Sequence, residues 1–246
     1  MADKAGDLIH EVIEAHGGKT LWDSVGRIDA EISADGFLFR AKHIRPLQRL
    51  PMSALTGEPR FLFHDYPEKA RTSELIGNGE VRVSSAEGAV VASRSMPRKE
   101  FRSLRRTFWW DTLDFIYFAG YATWNYLVTP FLFLNDGFSL EYLGERTTED
   151  GAFFCVRATF PDYLPTHCRT QTFYFDQGRL LRRLDYTAEV VGSWAHAAHF
   201  CDDYRDFGGL KFATRRRVRP VFFGKVMRAP VLVAIDVHGV KLVQKG

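Results

Sequence analysis

The chain has 246 residues, 46% of them hydrophobic and 14% aromatic, enough to bury a large core in one domain. A net charge of +3, dispersed along the chain, excludes the dense basic surface expected of a nucleic-acid binder. Three cysteines without a CxxC spacing exclude a disulfide framework and a cysteine-rich zinc site, and no metal or cofactor is expected.

The opening MADKAGDLIHEVIEAHGG carries acidic residues and no continuous apolar core, unlike a secretory signal, so a cytoplasmic location is expected. Leu8, Ile9, Val12 and Ile13 form a helical stripe that Gly17-Gly18 should stop, and a short turn around Leu21 and Trp22 completes N-terminal helices over 1–24. The period then changes towards two. The segment 28–44 reads as a hairpin around Asp35-Gly36, and further strand-like runs at 60–64, 69–76, 80–85 and 89–93 fill 28–95.

Pro97 opens a helical insertion over 97–134, in which Arg102, Arg105 and Arg106 look like a solvated face. From 115 to 134, FIYFAGYATWNYLVTPFLFL has no charged residue. Its tyrosines, Asn125, Gly120 and Pro130 argue against a spanning helix and for a buried one from about Asp111 to Thr129. Asp111 and Asp114 have the spacing of an N-cap with an acidic first turn. On that helix Asp114, Tyr117, Tyr121 and Asn125 share a stripe, which suits the polar lining of an apolar cavity.

Strands recur over 138–243, and three turn signals set their registers. A two-residue turn at Gln177-Gly178 puts His167, Arg169, Gln171 and Phe173 on one face with Arg182, Leu184, Tyr186 and Ala188. A turn at Gly192-Ser193 sets Tyr186 opposite His199 and Ala188 opposite Ala197. One at Gly208-Gly209 sets Cys201 opposite Arg216 and Asp202 opposite Arg215. The first face then mixes polar groups with small alanines, as a binding site requires. No Gly-rich phosphate loop, nucleophile elbow or HExxH occurs.

Alternating strands, an N-terminal helix ending in His16-Gly17-Gly18 before Trp22, a helix inserted mid-sheet and the run RLLRRLDYTAE over 179–189 resemble the Lol-type lipoprotein carriers. The resemblance implies an unclosed antiparallel half-barrel whose concave face is covered by helices and binds apolar groups. WDTLDFIYFAGYATWNY and FPDYLPTHCRTQTFYFD are similar to runs shared by an uncharacterised bacterial family. Lol carriers work in the periplasm, which the expected lack of a signal opposes. The VioE-type enzyme, of similar fold, shows that a half-barrel can serve as a cofactor-free biosynthetic enzyme, although no VioE motif is matched here.

The expected architecture is mainly β (α+β): one domain over 1–246, a single strongly curved antiparallel sheet or half-barrel, with an N-terminal helix and a mid-chain aromatic helix covering the concave face. The leading expectation for function is an enzyme enclosing an apolar or aromatic small molecule, with no cofactor and no nucleic-acid partner. In it His199, hydrogen-bonded by Tyr186, is the acid/base and His167 a second base. Arg169 and Arg216 hold a carboxylate or enolate, while Gln171, Asp114, Tyr117, Tyr121, Trp124 and Asn125 contact the ligand. The alternative is a carrier or sensor of a lipid-like ligand. Peripheral membrane attachment through the aromatic run is a third, less favoured reading.

Overall fold

The computed structural model describes residues 3–246. The stripe Leu8, Ile9, Val12 and Ile13 is buried along α1 (Lys4–Ala15), and α2 (Lys19–Ser24) stacks Trp22 on Phe131 with ring centres 4.3 Å apart. In β1 (Val25–Asp35), Ile28, Ala30, Ile32 and Ala34 are buried while Asp29, Glu31 and Ser33 between them are not, the two-residue period of a strand with one face on a core.

The expected hairpin at Asp35-Gly36 does not form. Gly36 has φ +142°, and a Cβ there would lie 2.4 Å from the Leu232 carbonyl oxygen. The next residues turn into α3 (Phe37–Ala41), whose first N–H groups donate to Val231 and Leu232. This docking interrupts the chain before β2 (Leu47–Leu55) pairs with β1.

β3 (Arg60–His64), β4 (Thr72–Ile76), β5 (Glu80–Ser84) and β6 (Val90–Ser95) continue outward as a meander. The chain then crosses through α4 (Pro97–Glu100), α5 (Leu104–Phe108), α6 (Thr112–Val128) and a 3-10 turn over Phe131–Leu134. It resumes at the opposite edge with β7 (Ser139–Thr148) and β8 (Gly151–Thr159). β9 (Thr170–Phe175), β10 (Leu181–Thr187), β11 (His196–Phe207) and β12 (Leu210–Phe222) lead inward, β13 (Lys225–Val226) folds back on β12, and β14 (Val233–Gln244) closes against β1. The strand order is 6-5-4-3-2-1-14-12-11-10-9-8-7, all antiparallel and not closed. Bulges in β1, β2, β6, β7, β10 and β14 bend the sheet into the expected half-barrel.

The crossing from one edge to the other explains the aromatic run. α6 lies inside the curve, against β2, β3, β4 and β5, and a helix enclosed on most sides must be apolar on most sides. Among the described residues no helix is long and apolar enough to cross a membrane. Gly120 marks the closest approach: a Cβ there would meet the Leu75 Cβ at 3.0 Å. Gly120→Val is therefore expected to lower stability by about 1–3 kcal/mol through overpacking, measured as a shift in urea midpoint. An unchanged midpoint would show that α6 is free to move off β4.

Candidate functional site

α6 starts with a capping box in which the Asp111 side chain accepts from the Asp114 N–H and Asp114 accepts from the Asp111 N–H. Asp114 is buried. It also accepts from Arg94 at 2.6 Å and from Arg106 at 2.8 and 3.0 Å, while Arg94 grips Asp111 at 2.7 and 3.0 Å. Burial pushes the Asp114 carboxyl above its ordinary range. At the less buried Asp111 the same effect is outweighed by the Arg94 hydrogen bond, and its carboxyl is held low. Arg106 is thus no part of a solvated face: its guanidinium anchors the helix. Asp114 is an anchor too and does not face a cavity.

The rest of the polar stripe docks a loop. The Asn125 amide donates to the Tyr121 and Pro165 carbonyls at 2.7 and 2.8 Å, and the Tyr117 hydroxyl donates to Asn78 at 3.3 Å. Trp124 donates to the Leu55 carbonyl at 2.8 Å. Buried Gln171 donates to Thr166 and to the Cys168 carbonyl within the same loop. Arg98, in α4, donates to the Thr166 and His167 carbonyls and pairs with Glu189 at 2.6 Å. A seam of side chains thereby fixes residues 160–169 between α6 and α4.

His167 sits in that loop, fully buried and doubly engaged. Its Nε2 is 2.7 Å from the Tyr126 hydroxyl and its Nδ1 3.1 Å from the Tyr121 hydroxyl, and Tyr186 stacks on it with ring centres 4.0 Å apart. Burial, reinforced by Arg98, pushes the His167 imidazole down to about 3, so it is neutral at pH 7.

His199 differs. Its burial is complete, yet neither ring nitrogen has a partner among the described residues. The expected Tyr186–His199 hydrogen bond is absent, because Tyr186 bonds to the Tyr126 hydroxyl at 3.3 Å and the Tyr126 ring stands edge-on to His199 at 4.4 Å. Tyr186 lies opposite Ala197, and His199 opposite Leu184. The connection after β10 spans 188–195 rather than a two-residue turn, which slides the register by two. The first turn also differs: Arg179 adopts φ +64°, making a three-residue loop followed by a bulge at Leu181/Arg183. Both changes together leave the inward face unchanged, so Gln171, Tyr186 and His199 still point to the core. At Gly208-Gly209 the turn is as read, with Cys201 opposite Arg216.

Arg169 does not join them. It precedes the start of β9, is exposed, and pairs with Asp162 at 2.8 Å. Arg216 does: it is buried with only neutral partners, donating to the Tyr126 carbonyl at 2.8 Å and to the Cys201 Sγ at 3.1 Å. Burial pushes the Cys201 thiol up, so it supplies no negative charge. Arg216 and His199 thus stand beside Tyr126, which with Tyr186, Phe63, Phe115, Ala119 and Ile235 walls an apolar cleft. The cleft holds about 30 Å³ of free space, room for about one water. Tyr126, the hub of this cluster, escapes a stripe-based reading because it lies one position beyond Asn125. Its hydroxyl is the cluster's link between His167 and Tyr186.

No protein-family profile and no curated protein matches the chain in sequence. Solved structures do. A LolA superfamily protein of Nitrosomonas europaea superposes with TM-score 0.55 at 11% identity, covering 100% of this chain and 96% of that one. A DUF1329 family protein of Desulfovibrio piger gives 0.53 at 13%, covering 98% and 94%. A domain of Vibrio parahaemolyticus named for outer-membrane lipoprotein sorting gives 0.55 at 10%, covering 98% and 93%. The fold is therefore the Lol-type half-barrel; at such identities the likeness concerns the fold alone.

Proposed function

We propose that this protein binds an apolar small molecule with an acidic head group between α6 and the concave sheet, as a carrier or sensor without chemistry of its own. The observation that carries this reading is Arg216: a buried guanidinium facing no carboxylate and, with an imidazole that has two free nitrogens, packed on Tyr126, whose ring lines the apolar cleft. An uncompensated charge in a protein interior is costly, and an incoming carboxylate would offset that cost while its chain takes the place of α6 side chains. The lipoprotein-sorting name attached to one structure of this fold agrees with an apolar ligand.

Acid/base catalysis is the weaker reading. A catalytic base works best with a pKa near the working pH, whereas burial holds both His167 and His199 far below it. Neither imidazole is oriented by a carboxylate, and both hydrogen-bonding positions of His167 are already occupied.

The test is uptake of hexadecanoic acid against hexadecanol, followed by native mass spectrometry. One acid per chain should bind at least about tenfold more tightly than the alcohol, the margin of a charge-assisted hydrogen bond. Arg216→Met, with folding checked by circular dichroism, should erase that preference. Failure to take up either ligand, or a preference that survives in Arg216→Met, would refute the assignment. A ligand mass that changes with time would restore the enzymatic reading.

A further inference from the structure

Many of the large apolar side chains left in solvent are gathered along one edge, apart from Val90, Val91, Leu134 and Tyr163. Leu104, Phe108 and Trp109 project from segment 96–110, and each is more than half exposed. This strap borders two sheet connectors. On one side Met96, Lys99 and Arg102 share a cleft with Trp194, itself 64% exposed. On the other, Arg105 and Trp109 line a cleft with Arg45, and the Trp109 ring lies 5.7 Å from His43. These connectors join β10 to β11 and β1 to β2. Between those pairs in the sheet stand β12 and β14, whose own connector carries the hairpin with Phe223 fully exposed at its tip. Strap, connectors and hairpin make one rim.

The charges of the rim are one-sided. Its carboxylates are already paired: Glu189 with Arg98 at 2.6 Å, Glu100 with Arg106 at 3.3 Å and Asp111 with Arg94 at 2.7 Å. That leaves Arg45, Lys99, Arg102, Arg105, Lys225 and Arg228, all exposed, with no carboxylate within 4.0 Å among the described residues.

We propose that this rim docks on an anionic phospholipid bilayer, with Leu104, Phe108, Trp109 and Phe223 at the acyl boundary and the free cations among the head groups. Exposed apolar tips interleaved with cations are what such an interface selects. A second copy of the chain is a poor occupant, because a twofold contact would set the six free cations against themselves. A nucleic acid would use the cations but not Leu104 or the isolated tip of Phe223. The aromatic helix α6 takes no part, being buried inside the curve of the sheet. The inference does not depend on the interior ligand proposed above.

The full chain would be sedimented with vesicles of phosphatidylcholine alone and of phosphatidylcholine mixed with phosphatidylglycerol. Binding is expected to the mixed vesicles and to fall with salt. Arg102→Ser with Arg105→Ser should weaken it about tenfold or more, from roughly fivefold per cation near the surface. Leu104→Ser with Phe108→Ser should weaken it at any salt. Both pairs lie on exposed positions, so unchanged thermal unfolding controls for folding, and Arg216→Met should bind vesicles like the wild type. The proposal is overturned if the wild type stays in the supernatant with anionic vesicles at low salt, or if both double variants bind like it. It is likewise overturned by a dimer that Leu104→Ser with Phe108→Ser dissociates, or by retention of an RNA oligonucleotide without vesicle binding.

Discussion

Acidification from pH 7 to pH 4 is expected to remove most of the folding free energy. His16, His167 and His199 are all buried, and burial pushes His16 down to about 4, His167 to about 3 and His199 well below its usual range. In the unfolded chain each titrates near 6.5. Below that value the unfolded state binds protons that the folded state refuses, so the native advantage is complete above about pH 6.5 and shrinks as pH falls towards 4. His16 and His167 each contribute about 1.4 kcal/mol per pH unit in that window, together roughly 6 kcal/mol by pH 4, and His199 adds in the same direction. That is comparable with the entire stability of an ordinary domain, about 5–15 kcal/mol. Urea midpoints measured at pH 7, 6, 5 and 4 check this. His199→Leu should flatten the slope and raise the midpoint at pH 7, since it removes two unpartnered buried nitrogens. A midpoint constant between pH 6.5 and 4 would mean that these rings are hydrated.

Asp114→Ala is expected to cost about 3–5 kcal/mol, because it strips Arg106 and Arg94 of their hydrogen bonds to the one fully buried carboxylate, leaves Arg106 only its longer contacts with Glu100 and Asp111, and removes half of the capping box. The contrast is Glu141→Ala, which breaks the exposed pair with Arg157 and should cost less than about 1 kcal/mol. Chemical denaturation of the two variants side by side measures the difference. Equal, small losses would mean that α6 is held by its apolar packing alone.

The half-barrel was legible because burial forces periodicity. Strand alternation, the uncharged aromatic helix and the Asp111–Asp114 spacing all report local constraints that residues impose on their neighbours. The predicted bounds of the helix, about Asp111 to Thr129, are its observed capping residues. What failed was long-range. Nothing local tells that 37–41 will meet Leu232, so Asp35-Gly36 reads as a hairpin where α3 forms. The eight residues 188–195 carry a Gly-Ser pair that mimics a two-residue turn. Arg169 and Arg216 look alike in sequence, yet one lies before a strand begins and pairs in solvent, while the other lies mid-strand and is sealed in. Tyr126 was missed because its role depends on three partners from distant parts of the chain, His167, Tyr186 and His199.

The strand order has a consequence for how the chain assembles. Within this sheet β1 comes first along the chain and β14 last, and their paired residues lie about 200 positions apart, as in Ala34 with Ile235. Every other connection in the sheet except the α6 crossover and the β12–β14 link joins strands consecutive in sequence, so two meanders can form from short loops. Bringing β1 and β14 together closes a loop whose entropy, by the logarithmic law, exceeds that of a four-residue hairpin by about 3–4 kcal/mol. During synthesis one side of β1 therefore has its backbone N–H and C=O groups unpaired until the ribosome has released 233–244. Such an open central edge is a site for mispairing with another nascent chain. The strand meant to be innermost remains an outer one until β14 emerges.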